Sequence, residues 1–175
     1  EQLSAAEARG AASAEEVAYL KALLQHGSVL VDIHQTVEDR MAAARTLTEL
    51  AEPSTFPFLH AASRSERPQL RRVVIDLAPR WKSADAVALL AERIRREFGE
   101  GGALRRQKAF HGLGLIQSED AAVALWDLSI DDQVLRPVRD QARSVLMEKY
   151  RSFVDARGGL PSEKNDPVGV GTALV

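Results

Sequence analysis

The sequence predicts an all-α protein, an α-α superhelix or solenoid of about four helical hairpins with an N-terminal cap helix and a long C-terminal helix. Three observations predict it: a helix-forming composition, the scarcity of strand-like runs and an internal repeat. Hydrophobic residues make up 45% of the 175 positions and aromatic residues only 5%. The abundant Ala, Leu and Arg lose little conformational freedom in a helix. The nearest strand-like run, SVLVDI at 28–33, is short and isolated.

The internal repeat becomes visible when four arginines are taken as anchors. They are separated by 31, 35 and 33 residues and are Arg40, Arg71, Arg106 and Arg139. In the first three units, small or apolar residues stand seven and ten positions after the anchor, and a second apolar pair follows at sixteen and nineteen. Each unit is therefore predicted to contain a helix, a short polar break and a second helix.

The predicted breaks carry residues that begin or end helices. Ser83 and Ser118 are predicted N-caps of the second helices of units two and three. Pro53 and Pro68 stand near helix starts, where proline is tolerated. The glycine-rich FGEGGAL at 98–104 lacks the Gly-Lys-Ser/Thr of a phosphate loop and predicts a helix stop followed by a turn.

The ends of the chain give the predicted domain boundaries. Residues 1–12 are expected to be a flexible N-terminal segment, and 13–155 to form the repeat domain. Within it, 13–26 is the predicted cap helix and about 133–155 the long last helix, with Pro137 in its first turn. Residues 156–175 are expected to be a flexible tail or the start of a linker.

Two segments carry a resemblance to a known family. RMAAARTLTELAEPSTFPFLHAA at 40–62 and RRQKAFHGLGLIQSEDAAVALWDL at 105–128 resemble HEAT repeats, in the short form of phycobilisome-lyase-type HEAT-like proteins. The resemblance covers roughly residues 35–150 and implies an armadillo-like helical solenoid whose second helices line the concave side. Unit two departs from the pattern, with Ala78-Pro79 where Leu-Gly is usual. The resemblance says little about activity, because such repeats serve many functions.

Equivalent positions of the second helices stack into two rungs on the implied concave side. One rung holds His60, Ala91 and Trp126, and the other Arg64, Arg95 and Ile130. Because Trp and Arg often anchor binding interfaces, the predicted binding residues are His60, Arg64, Arg95, Trp126 and Ile130. The alternative is that Trp126 packs against the last helix and the arginines are solvated or paired.

Several classes of catalytic and metal site are disfavoured by the composition. The chain has no cysteine, which excludes disulfides, thiolate zinc sites and cysteine nucleophiles. Its four histidines show no i,i+4 spacing and no His-Glu dipeptide, on which HEAT-like iron hydroxylases depend. No catalytic residue, metal or cofactor is predicted. The chain is expected not to be an enzyme, but a protein-protein interaction or scaffold domain.

The charge distribution supports one alternative, nucleic-acid binding. Residues 64–111 hold 12 basic and 6 acidic side chains and lie between acidic segments. This basic belt could hold phosphates. Glu92, Glu97 and Glu100 are interspersed in it, however, which favours a helix surface laced with ion pairs, so nucleic acid is not the expected partner.

Two further alternatives remain open. The family resemblance allows a lyase or enzyme accessory subunit. The chain could also be a structural domain of a larger bacterial envelope protein, because it begins without Met and ends in the apolar VGVGTALV at 168–175. VGVGTALV would be the first turns of a longer apolar segment beyond residue 175, which would be the only membrane contact, or it would be a plain tail. A periplasmic or cell-envelope location is slightly favoured over a cytoplasmic one.

Overall fold

The computed structural model describes residues 14–50, 53–99 and 101–160, and this part of the chain is helical with no strand. Short 3₁₀ turns occur at Pro53–Thr55 and Ala78–Trp81. The helices are α1 Ala14–Val31, α2 Val37–Leu50, α3 Phe56–Ser63, α4 Pro68–Leu77, α5 Ala84–Arg96, α6 Gly102–Ile116, α7 Glu119–Ile130, α8 Arg136–Lys149 and α9 Arg151–Ala156. The predicted all-α class is confirmed.

The helices form two layers. Helices α1, α3, α5 and α7 pack side by side in the first layer, and α2, α4, α6 and α8 pack side by side in the second. The most extensive packing joins α1 to α2, α5 to α6 and α7 to α8. The α-α superhelix is confirmed. Each hairpin begins with a first-layer helix, whereas each sequence repeat begins with a second-layer helix, so hairpins and repeats differ by one helix in where they start.

The anchor arginines tie each unit to the chain segment before it. Each donates a hydrogen bond to a backbone carbonyl, and the pairs are Arg40 with Leu30 at 2.9 Å, Arg71 with Ser65 at 2.7 Å, Arg106 with Glu97, and Arg139 with Val134 at 2.7 Å. Leu30 and Glu97 lie at the ends of α1 and α5, where the last carbonyls lack intrahelical partners. Ser65 and Val134 lie in the loops that follow α3 and α7. The repeated arginine therefore ties a second-layer helix to the end of the preceding helix or to the loop after it.

The core lies between the layers and consists of the aliphatic residues that the repeat predicts. Leu47, Leu90, Leu113 and Leu125 occupy repeat positions and are fully buried. Leu47 and Leu113 stand seven positions after their anchors and belong to second-layer helices. Leu90 and Leu125 stand nineteen positions after theirs and belong to first-layer helices. Neighbouring hairpins therefore share one continuous core, as expected of a solenoid.

Most helix-start predictions are also confirmed. The hydroxyls of Ser83 and Ser118 accept hydrogen bonds from backbone N–H groups at 3.2 Å, at the starts of α5 and α7. Pro68 begins α4, and Pro137 lies in the first turn of α8. The glycine segment does separate α5 from α6, and Gly101 has a φ of 68°, a left-handed conformation that glycine adopts without strain.

Two predicted boundaries are wrong. The cap helix does not end at residue 26 but continues to Val31, because fully buried Leu30 keeps the SVLV segment helical against the core. His26 consequently lies within α1 rather than at its end. The last helix is broken at Tyr150, which separates α8 from α9. The Tyr150 hydroxyl points inward, donates to the Leu113 carbonyl at 2.5 Å and accepts from the Gln117 N–H at 3.1 Å.

The terminal segments 1–12 and 161–175, including the apolar run 168–175, lie outside the described residues. The proposed domain boundaries therefore stay a prediction. At the C-terminal end, Leu160 packs against the core, and the Arg157 guanidinium lies 3.6 Å from the centre of the Phe153 ring. Within the part of the chain that the structure describes, no helix is long and apolar enough to cross a membrane.

We expect Leu113→Ala to lower the free energy of unfolding by about 2–5 kcal/mol, because it removes a fully buried side chain between the layers. Leu115→Ala is the matched control, since Leu115 lies in the same helix with 53% of its surface exposed. It should cost about 1 kcal/mol or less. Urea denaturation followed by circular dichroism measures both. Equal stability losses would show that the repeat register is wrong.

Candidate functional site

The five predicted binding residues lie in or beside three neighbouring helices of the first layer. His60 is in α3 and Arg64 directly follows it, Arg95 is in α5, and Trp126 and Ile130 are in α7. Helix α5 packs against both α3 and α7. The register of the repeat thus places these residues in one layer, while their role in binding remains a prediction.

Glu92 brings His60 and Arg64 together. One of its carboxylate oxygens lies 3.4 Å from His60 Nε2 and 3.5 Å from Arg64 Nη2. The other lies 3.1 Å from Arg93 and 3.4 Å from Arg96. Partial burial raises the pKa of Glu92, but the charge of Arg93 first, then Arg64 and the hydrogen bond from His60, hold it below its usual value. Glu92 is therefore ionised at neutral pH.

A cleft with a mixed polar and apolar lining lies between α3 and α5 beside this carboxylate. Its volume is about 430 Å³, and its lining includes Phe56, Pro57, His60, Asp85 and Glu92. The His60 ring stacks on Phe56, with their centres 6.3 Å apart. Ala91, which the repeat places in the rung between His60 and Trp126, is buried. The residue of α5 that contacts His60 is therefore Glu92, which follows Ala91 in the chain.

Arg95 lies at a second, more apolar cavity formed by the C-terminal ends of α5 and α7 and the start of α8. The cavity has a volume of about 350 Å³ and is lined largely by Ile94, Phe98, Val134, Leu135 and Val138. On its rim, Arg95 Nε lies 3.5 Å from an Asp131 carboxylate oxygen.

Exposed apolar side chains surround this second cavity. Phe98 is 60% exposed and Leu135 is 56% exposed. Ile130, immediately before Asp131 in the chain, is also exposed. We call Phe98, Ile130 and Leu135, together with the Arg95–Asp131 pair, the α5–α7 edge.

Trp126 packs against the last helix, α9, and not against Arg64 or Arg95. Its ring meets Phe153 edge to face, with the centres 6.1 Å apart and the planes at 72°. Arg157 lies 5.8 Å from the centre of the Trp126 ring. This is the packing that the alternative prediction gives for Trp126. The five residues thus have different neighbours: Glu92 for His60 and Arg64, Asp131 for Arg95, and Phe153 for Trp126.

Three arginines of the predicted basic belt, Arg71, Arg93 and Arg105, surround the side chain of Glu97. This carboxylate is buried and lies 2.9 Å from Arg71 Nε, 2.6 Å from Arg105 Nε and 4.0 Å from Arg93 Nη1. Arg106 donates to the Glu97 backbone carbonyl. The expectation that Glu97 lies on the surface is wrong, because α4, α5 and α6 converge over it. Glu92 does form the expected i,i+4 pair, with Arg96.

The histidines lie in separate places. His26 is in α1, His60 in α3 and His111 in α6, while His34 lies in the loop after α1, where its N–H donates to Asp32 at 2.9 Å. Across residues 14–50, 53–99 and 101–160, no three His, Asp or Glu side chains are grouped so that they could hold a metal ion.

Several residues of these sites were not predicted from the sequence. They are Glu92, Asp131, Phe98 and Leu135. These residues reach the sites because helices that are distant in the chain pack together. Phe98 stands just beyond a helix end, and an exposed aromatic residue there is a recognisable signal. The pairing of Arg95 with Asp131 carries no such signal, because it spans 36 positions.

Comparison with known proteins supports the architecture. No protein-family model and no curated protein sequence matches the chain. A solved structure of human deoxyhypusine hydroxylase in complex with glycerol is similar to it, with a TM-score of 0.63 and 20% sequence identity. The likeness covers 85% of this chain and 49% of that one, so this chain spans about half the length of the hydroxylase. At this identity the likeness shows the helical-repeat fold alone.

The comparison corrects one prediction and leaves another untested. The expectation that the chain is not an enzyme is overturned, because the similar structure is that of an enzyme. The finer resemblance to phycobilisome-lyase-type HEAT repeats has no matching family model and remains a prediction.

We expect Glu97→Gln to destabilise the protein by about 3–5 kcal/mol, because it leaves Arg71, Arg93 and Arg105 without their shared buried counter-charge. Glu148→Gln is the control: Glu148 pairs with Lys149 at 2.8 Å on an exposed surface, where water screens the interaction. Chemical denaturation compares the two variants. An unchanged midpoint for Glu97→Gln would contradict a structural role for this carboxylate.

Proposed function

We propose that this chain is a protein-interaction or scaffold domain that binds a partner protein through its first layer. The observation that supports the proposal most strongly is the α5–α7 edge, where large exposed apolar side chains surround a cavity of about 350 Å³. Contiguous exposed apolar surface bordered by charged groups is typical of protein interaction sites.

The geometry suggests how such a partner would bind. An apolar side chain of the partner enters the cavity and contacts Phe98, Val134 and Leu135. The ion pair of Arg95 and Asp131 on the rim offers one donor and one acceptor to neighbouring polar groups, which selects the orientation. Helices α5, α7 and α8 hold this surface in place, so binding requires no rearrangement of the backbone.

The other predicted binding residues extend this surface in two directions. His60 and Arg64, held by Glu92, lie towards α3, and Trp126 with Arg157 lies towards α9. We propose that they contribute secondary contacts. The HEAT-like assignment is part of this proposal, because stacked hairpins of that kind present a continuous surface to protein partners.

Leu135→Glu should abolish capture of the partner, because it places a carboxylate at the mouth of an apolar cavity. Leu115→Glu is the matched control, since Leu115 is exposed to a similar extent but lies in the second layer. Chemical crosslinking in extracts of the source cells, followed by mass spectrometry, compares the two variants with wild type. Circular dichroism establishes that both are folded.

The proposal expects a protein that is recovered by wild type and Leu115→Glu and lost with Leu135→Glu. Equal recovery by both variants would place the binding surface elsewhere. Recovery of nucleic acid alone, released steeply by salt, would instead support the basic belt as the functional surface.

A further inference from the structure

A third cavity lies at the N-terminal end of the solenoid, between the C-terminal ends of α1 and α3. Its volume is about 560 Å³. Three arginines, Arg40, Arg64 and Arg67, line it together with apolar Val31 and Ile33. The repeat places Arg40 and Arg64 at their positions, but it does not explain why they meet Arg67 at one cavity.

Arg40 is the central group of this cavity. It is only 6% exposed, and its Nε donates to the Leu30 carbonyl at 2.9 Å. Its guanidinium makes no other hydrogen bond or ion pair within residues 14–50, 53–99 and 101–160. A guanidinium has five N–H donors, so both terminal nitrogens of Arg40 keep their donors free. Since Arg40 lines the cavity, we take these nitrogens to face it.

The other anchor arginines show how Arg40 differs from them. Arg71, Arg106 and Arg139 are partly exposed, so water reaches them. Arg71 also pairs with the Glu97 carboxylate at 2.9 Å. Arg40 is the buried member of the four, and no carboxylate forms an ion pair with it in the described part of the chain. A buried cation without a close counter-charge is costly.

The nearby acidic residues do not fill this role. Glu66 lines the cavity but is exposed. The Asp32 carboxylate accepts from the backbone N–H of His34 at 2.9 Å and from Gln35 at 3.2 Å. These hydrogen bonds first, and the charge of Arg40 as a smaller effect, lower the pKa of Asp32, but the two side chains form no ion pair. Arg64 shares Glu92 with other cations, and Arg67 has no ion pair in the described part of the chain. The cavity therefore carries an excess of positive charge.

We propose that this cavity binds a carboxylate side chain of an acidic peptide segment of a partner protein. The two terminal nitrogens of Arg40 match the two oxygens of a carboxylate, and Arg64 and Arg67 attract it at the mouth. Val31 and Ile33, the latter 78% exposed, contact an apolar side chain next to the acidic one. A phosphate dianion suits the site less well, because Glu66 lies on its rim.

The proposal rests on the proposed function only in taking a protein as the source of the carboxylate. The two cavities share no lining residue, since one lies between α1 and α3 and the other between α5 and α7. Arg64 belongs both to the arginine-lined cavity and to the proposed secondary contacts. The Leu135→Glu variant should consequently bind an acidic peptide as wild type does. Failure at one site can therefore be distinguished from failure at the other.

The probe is a fluorescein-labelled peptide of alternating Leu and Asp, and its control is the same peptide with Asn in place of Asp. Fluorescence anisotropy measures binding to the full chain. We expect the Asp peptide to bind at least about tenfold more tightly than the Asn peptide, because charge-assisted pairs require the ionised carboxylate. No detectable binding, or affinities within twofold of each other, would overturn the proposal.

Three variants locate the site. Arg40→Gln should weaken Asp-peptide binding by roughly tenfold or more, since the bidentate partner is lost. Because Arg40 also caps α1, Arg67→Gln provides a second test: its exposed side chain has no ion pair to lose, so it should fold normally and bind several-fold more weakly. Arg151→Gln, at the other end of the chain, is the control and should bind like wild type.

Two results would contradict the assignment. Equal weakening by Arg67→Gln and Arg151→Gln would show that binding reflects general charge rather than this cavity. Competition of the peptide by inorganic phosphate at lower concentration than by acetate, with the same dependence on Arg67, would assign the cavity to a phosphate ligand instead.

Discussion

The buried carboxylate of Glu97 is the interaction on which the arrangement of the central helices depends. Removing a carboxylate from water costs several kcal/mol, and the cost is offset only when cations and hydrogen bonds surround it. Arg71 from α4, Arg93 from α5 and Arg105 from α6 do so together. Because these cations come from three helices, the carboxylate fixes the packing of the second unit against the third. That packing in turn places the sites on α3, α5 and α7.

The anchor arginines extend the same principle along the chain. Each unit uses one arginine to satisfy a backbone carbonyl at a helix end or in the loop that follows it, so the repeat is held together by polar contacts as well as by its aliphatic core. The anchors differ in their surroundings. Arg71 pairs with the Glu97 carboxylate, and Arg106 and Arg139 are partly exposed, whereas Arg40 is buried and lines a cavity. The proposed carboxylate site rests on this difference.

The α-α superhelix itself is shared with a protein of different length and low sequence identity, and in that protein it belongs to an enzyme. The fold therefore does not distinguish catalysis from binding. The distinguishing features of this chain are local. They are the apolar α5–α7 edge with its Arg95–Asp131 pair and the arginine-lined cavity between α1 and α3. Both lie at the C-terminal ends of first-layer helices, where loops leave space that the helix bodies do not.

The sequence by itself determined the helical class, the repeat, the N-caps at Ser83 and Ser118 and the buried aliphatic positions, because these depend on spacing within one helix or one turn. Only the tertiary structure decided that Glu97 is buried, that Tyr150 breaks the last helix, that Trp126 packs on α9 and that Arg40 faces a cavity. Each of these depends on contacts between helices far apart in the chain. The sequence does not show whether a charged residue on a helix faces water or three arginines of neighbouring helices, because its environment depends on how the helices pack.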